Sequence, residues 1–408
     1  MKKKILFVAM SDSIHTARWI NQIVNSGFKI YLFSSNDTTQ ANSEITRGLL
    51  HIYFPAQFID CSKLLILIKN YHIRHYLGLA VNLINRYLAA FIGELYPQYR
   101  VKYLTRVIDD VKPDIIHSMN IQSAGYLTLQ AKKLIKDNFP DWIVTNWGSD
   151  ISLFGNDPIH ANKISQVLSN CDYYSCECNR DVKLAQKFGF KGKILDVMPN
   201  AGGYDLNKYD SYSLISPSQR RYIMIKGYQG WAGRAFVALD AIDLIGKTLF
   251  EKKYGLIIYS MAGNLDVENK AIAIARKHHL HIKLVPQFTA HDEIIKLHGQ
   301  SRISIGLSIG DGISTSLLES MLTGSFPIQS YTACADEWIL NGVSGILVPP
   351  EDVNLVSKAI LKAIASDQLV DKAAKINRKT ISERAKHDII KNRAIKLYDS
   401  IISSQKHS

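Results

Sequence analysis

The chain has 408 residues, and 49 Lys and Arg against 36 Asp and Glu give it a formal net charge of +13. This length exceeds what one hydrophobic core supports and favours two domains of about 200 residues. The charge indicates an acidic partner, such as nucleotide phosphates, anionic lipid or nucleic acid. Five cysteines at irregular spacings argue against a disulfide framework and for a reducing compartment.

The chain starts with lysines and a short apolar run, ILFVAM. This run is too short for the core of a secretory signal, and no unbroken apolar run in the chain reaches the ~20 residues that cross a bilayer. We therefore expect a cytoplasmic protein, one that can bind peripherally to the inner face of the membrane.

Strand and helix patterns alternate through the first half. ILFVAM, KIYLFSS, PDIIHSM, WIVTNW and YYSCEC predict buried strands, and TARWINQIVNSG predicts a helix that ends at Gly27. Strands that alternate with helices form a parallel sheet, and such sheets bind ligands at the carboxyl ends of their strands.

Residues 61–108 differ from the rest, because they hold seven Lys or Arg, six Tyr and a single acid, Glu94. Apolar residues recur there at helical spacing, and the basic residues Lys69, Arg74 and Arg86 are interspersed between them. Basic amphipathic helices with aromatic residues bind anionic membrane surfaces, so such a surface is one predicted partner. A pair of helices that face the core, with solvated charges, explains the pattern equally well.

A loop rich in Gly, Asn and Ser follows Met198, and we place the domain boundary in it. The predicted domains are residues 1–203 and 204–385, followed by a terminal helix over 386–408. The second half alternates again: RYIMIKG, YGLIIYSMAG, HIKLVPQ and RISIGLSI predict strands, with helical patterns between them. The predicted fold class is α/β.

The stretch GDGISTSLLESMLTGSFP, residues 310–327, carries the strongest functional signal. Asp311 and Gly312 precede a run of small residues, and Glu319 lies eight positions after Asp311. This pattern predicts a loop that opens a helix, whose free N–H groups bind anions and above all phosphate. A carboxylate near each end suits a nucleotide sugar, which presents vicinal hydroxyls on its sugar and its ribose.

This stretch and the downstream GSFPIQS, DEW and NGVSGILVPPED resemble the retaining glycosyltransferases of family 4, the group 1 glycosyltransferases. Asp311 replaces the first Glu of the family pattern, Ser314 replaces its second Gly, and Glu319 is retained. The resemblance implies the GT-B fold, with two Rossmann-like parallel-sheet domains that face each other across a cleft. It also implies a UDP- or GDP-linked sugar as substrate, no cofactor or metal, and a terminal helix packed back on the first domain.

The resemblance places the donor in the second domain. Glu319 would bind the ribose hydroxyls and Asp311 the sugar hydroxyls. Arg234 is the first choice for binding the diphosphate and Lys226 the second, together with the N–H groups from Gly312 to Ser316. The remaining predicted donor-binding residues are Gly227, Ile313, Ser314, Thr315 and, near the base, Gln287 and Phe288.

The resemblance is weaker in the first domain. His117 matches the first histidine of a His-x-His motif whose second position is Met119, and it is either a catalytic or a structural histidine. Asp150, in NWGSD, is a candidate to activate the acceptor hydroxyl or else a helix cap. The predicted acceptor-side residues are Ser13, His15, Asn120 and Asp150. The predicted catalytic residues are Asp311, Glu319, Arg234, Asp150 and His117.

The predicted function is sugar transfer to a lipid-linked or saccharide acceptor, in surface polysaccharide or glycolipid assembly. A sugar-nucleotide epimerase or hydrolase of the same fold would instead use Asp150 and His117 as an acid–base pair. A nucleic-acid-binding protein would explain the charge. The basic residues are spread over both halves without a nucleic-acid motif, however, so no nucleic acid is expected as a partner.

Overall fold

The computed structural model describes residues 2–45, 50–59, 71–212 and 215–404, apart from the side chains of residues 50, 71, 72, 74 and 75. Within these ranges the chain forms two parallel sheets flanked by helices. The predicted α/β fold class, with two parallel-sheet domains, is confirmed. Lys69 lies outside the described residues, and so does the side chain of Arg74.

The first sheet has the order β3-β2-β1-β4-β5-β6-β7. Its strands are β1 (Lys4–Ala9), β2 (Lys29–Ser34), β3 (Leu50–Tyr53), β4 (Ile115–Met119), β5 (Asp141–Thr145), β6 (Tyr173–Ser175) and β7 (Lys193–Ile194). The inner strands β1 and β4 are buried almost throughout, as expected for apolar runs covered on both faces. The chain order reverses between β1 and β4, and a crevice for ligands opens at such a point.

The helices of the first domain lie on both faces of this sheet. They are α1 (Ile14–Ile23), α2 (Tyr71–Leu95), α3 (Tyr99–Val111), α4 (Tyr126–Ile135), α5 (Ser149–Ser152), α6 (Pro158–Leu168) and α7 (Asn179–Lys187). A π-helical turn, Ile121–Gly125, leads into α4, and a 3-10 turn, Phe154–Asn156, follows α5.

The second sheet has the order β10-β9-β8-β11-β12-β13. Its strands are β8 (Tyr222–Lys226), β9 (Gly255–Tyr259), β10 (Ile282–Leu284), β11 (Ser301–Gly306), β12 (Phe326–Ser330) and β13 (Ile346–Val348). Its helices are α8 (Leu206–Asp210), α9 (Ala235–Glu251), α10 (Leu265–Lys277), α11 (His291–Gln300), α12 (Thr315–Thr323), α13 (Val353–Ala365) and α14 (Asp367–Arg384). Three 3-10 turns complete it, at Pro217–Gln219, Tyr331–Ala333 and Ala335–Glu337.

The last helix, α15 (His387–Ser404), packs on the first domain. The hydroxyl of Tyr398 accepts a hydrogen bond from Trp19 Nε1 at 2.8 Å and lies 2.7 Å from His117 Nδ1. The chain therefore passes twice between the domains, and the two passages run side by side. Tyr204 N–H donates to the carbonyl of Ala385, and His387 N–H donates to that of Tyr204. The boundary predicted at residues 203 and 204 lies at this double crossing.

Candidate active site

The carboxyl end of β8 and the start of α12 meet at the cleft between the domains. Lys226 ends β8, and its Nζ lies 3.5 Å from the Oγ of Ser314, the residue that precedes α12. A cavity of about 150 Å³ opens beside them, which we call the donor pocket. Its lining residues are Ser149, Lys226, Tyr228, Trp231, Ala232, Gly306, Leu307, Ser308, Gly310, Asp311, Ser314 and Gln329. The structure thus brings Lys226, Asp311 and Ser314 together, with residues of both domains around them.

Glu319 lies in the second turn of α12, and histidines from α11 surround its carboxylate. His291 Nε2 lies 2.7 Å from Oε1, and His298 Nε2 lies 3.6 Å from Oε2. Burial by itself raises the pKa of Glu319, but the hydrogen bond from His291 and nearby positive charge outweigh burial and lower it. Glu319 is therefore an anion near neutral pH. The histidines were not predicted, although their spacing of seven residues places both on one helical face.

Asp311 stands at the rim of the donor pocket. Its Oδ1 accepts a hydrogen bond from Gly312 N–H at 2.9 Å, and its backbone carbonyl accepts one from Arg180 Nη2 at 2.7 Å. Burial raises the pKa of Asp311, while the positive charge of Lys226 acts in the opposite direction. The guanidinium of Arg180 belongs to the first domain, so Asp311 lies where the two domains meet.

The first domain covers the start of α12. Gly312 N–H donates to the carbonyl of Trp147 at 3.1 Å, and Ile313 N–H donates to Glu177 Oε2 at 3.3 Å. A Cβ on Gly148, whose φ is +98°, would lie 1.8 Å from the nitrogen of Gly312, so only glycine fits there. The predicted phosphate-binding amides of Gly312 and Ile313 therefore already have acceptors in this closed arrangement. Ser314, Thr315 and Ser316 form the following turn, and the hydroxyls of Ser314 and Ser316 lie 2.8 Å apart.

Glu177 is a buried carboxyl that the sequence analysis did not single out. Its Oε1 accepts a hydrogen bond from Asn200 N–H at 2.8 Å. Burial raises the pKa of Glu177 to about 8, although the hydrogen bonds from Asn200 and Ile313 favour the charged form. Its position just after β6, at the carboxyl edge of the sheet, is the signal that could have found it.

A second set of contacts joins α7 to the second domain. The carboxylate of Glu337 accepts hydrogen bonds from the N–H groups of Asn179 and Arg180, at 3.0 and 3.2 Å. The Arg180 side chain also donates to the carbonyl of Thr332 at 2.8 Å. An acidic side chain of one domain thus caps a helix of the other, and this favours the closed arrangement.

Arg234, the first choice for the diphosphate, does not line the donor pocket. Its Nε pairs with Glu351 Oε1 at 2.7 Å, and its Nη1 donates to the carbonyl of Gly233. Of the two predicted cations, Lys226 lines the donor pocket and Arg234 does not. Gly227 has a packing role, since a Cβ there would lie 2.6 Å from Met261 Cγ.

Of the two roles predicted for His117, the structure favours the structural one. His117 is fully buried, with Nδ1 facing Tyr398 and Nε2 lying 2.6 Å from the hydroxyl of Thr145. Burial lowers its pKa to about 3, so it is a neutral histidine that links α15 to the sheet.

Asp150 and Asn120 hold the loops after β5 and β4. The two carboxylate oxygens of Asp150 accept hydrogen bonds from the N–H groups of Trp147 and Ile121, at 2.8 and 3.1 Å. Burial raises its pKa to about 7. Asn120, with a φ of +101°, accepts through Oδ1 from the N–H groups of Ser123 and Ala124. The alternative of a capping role therefore describes Asp150 better than that of a base. Asn120, predicted on the acceptor side, caps the turn that follows it.

The helix α1 presents Ser13 and His15 at the cleft. Ser13 caps the helix by accepting from His15 N–H at 3.2 Å. Burial, together with the positive charges of Arg18 and Lys226, lowers the pKa of His15 to about 4. Arg18, three residues further on and on the same helical face, was not predicted as a site residue.

A larger cavity of about 520 Å³ lies in the cleft beyond His291, and we call it the cleft pocket. Its lining residues are Arg18, Asn21, Gln22, Glu44, Ala201, Gly202, Gly203, Tyr204, Lys208, Tyr209, Ala290, His291, Asp292 and His387. Gln287 and Phe288 precede this edge and are exposed, Phe288 to 94% and with a φ of +67°. Neither of them lines the cleft pocket.

Both halves of the chain match models of glycosyltransferase families. The model "Glycosyl transferases group 1" matches residues 220–382, and "Glycosyl transferase 4-like" matches residues 4–74 and 94–176. Together these matches cover every strand of the two sheets except β7, and they include the start of α12.

Solved structures with the same fold cover nearly the whole chain. Sucrose-phosphate synthase from Thermosynechococcus elongatus is 12% identical, with a TM-score of 0.68 over 98% of this chain and 100% of that one. HepE from Anabaena, solved in complex with UDP-glucose, is 14% identical, with a TM-score of 0.68 over 97% and 99%. The lipopolysaccharide outer core galactosyltransferase WaaB is 15% identical, with a TM-score of 0.62 over 98% and 99%.

No curated protein matches the chain by sequence. At such identities the solved structures establish the fold alone, and the evidence for the family is in the two models, one for each domain. The chain belongs to the group 1 glycosyltransferases and has the GT-B fold.

Proposed function

We propose that the protein is a retaining glycosyltransferase that moves a sugar from a nucleoside diphosphate sugar to an acceptor hydroxyl. The observation that carries this proposal is the grouping of Lys226, Asp311 and the start of α12 around one pocket in the cleft. A cation and a helix N-terminus together stabilise the charge that develops on a departing diphosphate. Glu319, anionic in the same helix, is the group to bind the ribose hydroxyls.

The retaining, metal-independent chemistry rests on the family resemblance. It implies front-face attack, in which the leaving phosphate oxygen takes the proton of the acceptor and no protein nucleophile takes part. The alternative function, an epimerase or hydrolase, would need His117 and Asp150 as an acid–base pair. It is disfavoured because both side chains are buried and engaged in structural hydrogen bonds.

Donor binding must open the closed arrangement. The donor pocket, at about 150 Å³, is well below the ~300 Å³ at which ligand pockets begin. The amides of Gly312 and Ile313 must also exchange Trp147 and Glu177 for the donor. The complex of HepE with UDP-glucose supports a UDP-linked donor as the first to test.

The test is a screen of UDP, GDP, ADP, CMP and their sugar conjugates for thermal stabilisation, followed by transfer assays with the donor that binds. A ligand at a hundred times its dissociation constant should stabilise the protein by about 2.7 kcal/mol. Glu319→Gln should lose that stabilisation, and Glu351→Gln, which removes a surface carboxylate paired with Arg234, should keep it. If none of these ligands stabilises the protein, and it binds random DNA with an affinity that disappears as salt is added, a nucleic-acid-binding protein is favoured instead.

We further propose a lipid-linked acceptor or a saccharide acceptor in surface polysaccharide or glycolipid assembly, at the cytoplasmic face of a membrane. The support comes from α2, whose polar side faces the protein. Asn85 is 1% exposed; its Oδ1 accepts from Phe58 and Ile59 N–H, and its Nδ2 donates to the Ile59 carbonyl. Asn82 Oδ1 accepts from the hydroxyl of Thr39 at 2.6 Å.

The apolar side of α2 faces outward, which disagrees with the alternative of a helix pair that faces the core. Its exposed residues, which we call the outer face of α2, are Leu77, Leu83, Ile84, Tyr87, Phe91 and Leu95. Leu77, Ile84, Tyr87, Phe91 and Leu95 follow one another at spacings of seven, three, four and four residues. They therefore form one stripe, with Leu83 beside it. By length and composition the segment Tyr76–Leu95 could even cross a membrane, which is weak evidence by itself. The asparagines and Arg86 interrupt its apolar run, which is why no such segment was predicted.

An anionic bilayer is the occupant that fits this surface. Arg86 is exposed on α2, and Lys102 and Arg106 line an apolar cavity of about 620 Å³ with Leu95 and Tyr99 at the end of the helix. Cations beside an apolar, tyrosine-bearing stripe match the interface of an anionic membrane. The asparagine contacts hold α2 against the domain, so the outer face lies along the membrane surface.

Sedimentation with vesicles tests this surface. The protein should bind phosphatidylcholine vesicles that contain phosphatidylglycerol more tightly than pure phosphatidylcholine, and Leu83→Asp with Tyr87→Asp should abolish binding. Leu244→Asp, an exposed leucine on α9, is the matched control and should bind normally. Concentration-dependent dimers without vesicle binding, abolished by the same double substitution, would assign the outer face to a second copy of the chain.

A further inference from the structure

Two cysteines from different domains meet in the closed interface. Cys178 directly precedes α7, and Cys334 lies between the 3-10 turns Tyr331–Ala333 and Ala335–Glu337. Both thiols are buried, and their Sγ atoms are 2.6 Å apart although the residues are 156 positions apart in sequence. Two thiols this close require little movement to become bonded.

The surroundings of the pair favour thiol chemistry over metal binding. Asp181 is the third group near the two sulfurs. Its Oδ1 pairs with Arg180 at 2.8 Å, and its Oδ2 accepts from Asn146 Nδ2 at 2.7 Å. The carboxylate is thus already engaged, and the described residues leave the two sulfurs without a third protein ligand.

The closed arrangement disfavours the thiolate form of Cys178. The hydrogen bond from Cys334, burial and the charge of Asp181 all raise the pKa of the Cys178 thiol in the closed arrangement. Separation of the domains would take Cys334 away from Cys178 and Glu337 away from the start of α7. Cys178 then stands at an uncapped helix N-terminus, which stabilises a thiolate.

We propose that Cys178 and Cys334 form a redox site that links the two domains by a disulfide and locks the cleft closed. The oxidant is a low-molecular-weight disulfide, such as oxidised glutathione. The Cys178 thiolate attacks it and releases one thiolate, which leaves a mixed disulfide on Cys178. The Cys334 thiolate then attacks the Cys178 sulfur and releases the second thiolate. Two protein thiols are oxidised, one small disulfide is reduced to two thiols, and the protein protons go to the released thiolates.

The link would hold the start of α12 against the first domain. Gly312 and Ile313 would keep their hydrogen bonds to Trp147 and Glu177, and the donor pocket would stay at its closed size. The link itself does not depend on the proposed function; only its consequence for donor binding rests on that proposal.

The experiment treats the full-length protein with oxidised glutathione and maps disulfides by mass spectrometry of non-reduced peptides. We expect a peptide pair that joins Cys178 to Cys334 in the wild type. It should persist in Cys171→Ser, which removes another buried thiol, and be absent in Cys178→Ser and Cys334→Ser. Amide hydrogen exchange over residues 311–318 should slow by about tenfold or more on oxidation and recover with dithiothreitol.

The readouts separate the possible failures. A wild-type protein that forms only mixed disulfides with glutathione, or joins Cys176 to Cys178, overturns the site. A link between Cys178 and Cys334 with unchanged exchange overturns the lock. UDP binding to reduced and oxidised protein then tests the consequence: binding to both forms equally overturns exclusion of the donor. If even the reduced protein does not bind UDP, the proposal of a UDP-linked donor is wrong. Disulfide mapping and hydrogen exchange still decide whether the link forms and whether it locks the cleft.

Discussion

Lys226 and Arg234 both carry a positive charge near the start of the second domain, but only Lys226 lines the donor pocket. The guanidinium of Arg234 forms an ion pair with Glu351 and donates hydrogen bonds to backbone carbonyls. We expect Lys226→Ala to lower kcat by about 10²-fold, the usual effect of removing one partner of transition-state charge. Arg234→Ala should change kcat by less than about threefold, because a surface ion pair contributes little.

Initial-rate measurements at saturating donor decide between these residues. Lys283→Ala, on the exposed strand β10, is the control for loss of a lysine without loss of the site. If Arg234→Ala proves the slower enzyme, the guanidinium must leave Glu351 and reach the diphosphate when the donor binds.

Glu177 gives the protein a pH dependence with a defined sign. Its pKa rises from 4.5 in the unfolded chain to about 8 in the folded protein, so folding favours the protonated carboxyl. The stabilisation is complete below about pH 4.5 and is lost as the pH rises through 8. Asp150, raised to about 7, acts with the same sign.

Glu177→Gln should therefore reduce the fall in stability between pH 5.5 and pH 8.5 without removing it. Urea unfolding midpoints at the two pH values measure the difference. Glu293→Gln, at a carboxylate on α11 whose side chain is 44% exposed, should leave the fall unchanged. A variant as pH-sensitive as the wild type would mean that Glu177 is already ionised in the folded protein.

Site residues were predictable where their signal is local in sequence. Asp311, Ser314 and Lys226 follow from a short motif and a strand end, and the structure brings them together. The structural role of His117 was harder to predict, because its partner Tyr398 lies 281 positions away, on a helix that returns from the second domain. Glu177 was missed for a similar reason, since its contact with Ile313 exists only when the domains meet.

At the scale of single elements, α2 exposes many of its apolar side chains, whereas a helix usually packs such side chains against its domain. Asn85→Ala should destabilise the protein by about 1–3 kcal/mol, because the two N–H groups and one carbonyl of residues 58 and 59 lose their partner. Leu83→Ala, on the outer face of α2, should fall within about 0.5 kcal/mol of the wild type.

Urea denaturation of the two variants in the absence of lipid measures this contrast. If Leu83→Ala lowers the free energy of unfolding more than Asn85→Ala does, the outer face of α2 is buried in solution. A second copy of the chain would then be the expected partner.

The central strands could be predicted from their sequence, whereas the short edge strands could not. Apolar runs such as ILFVAM and RISIGLSI predicted β1 and β11, because a strand covered on both faces has to be apolar throughout. β3 (LHIY) and β7 (KI) are short edge strands with polar residues, and they are defined by pairing to β2 and β6 rather than by their own pattern.

At the scale of the whole molecule, the last helix completes the first domain. Tyr398→Phe should lower stability by about 1–3 kcal/mol, because Trp19 loses its buried acceptor and His117 loses its neighbour. Tyr331→Phe, at an exposed tyrosine, is the control. Thermal unfolding followed by tryptophan fluorescence reports the change, and equal stability of the two variants would show that α15 is held by its apolar contacts alone.

The double crossing at Tyr204 and His387 also sets an order of assembly during synthesis. The second domain leaves the ribosome complete, whereas the first domain, made earlier, lacks the helix that covers Trp19 and His117. At the usual 5–20 residues per second, synthesis of the intervening domain takes about 10–40 s, and the apolar groove stays open for that time. The domain that is translated first is thus finished last, and the open groove is where a nascent-chain chaperone would bind.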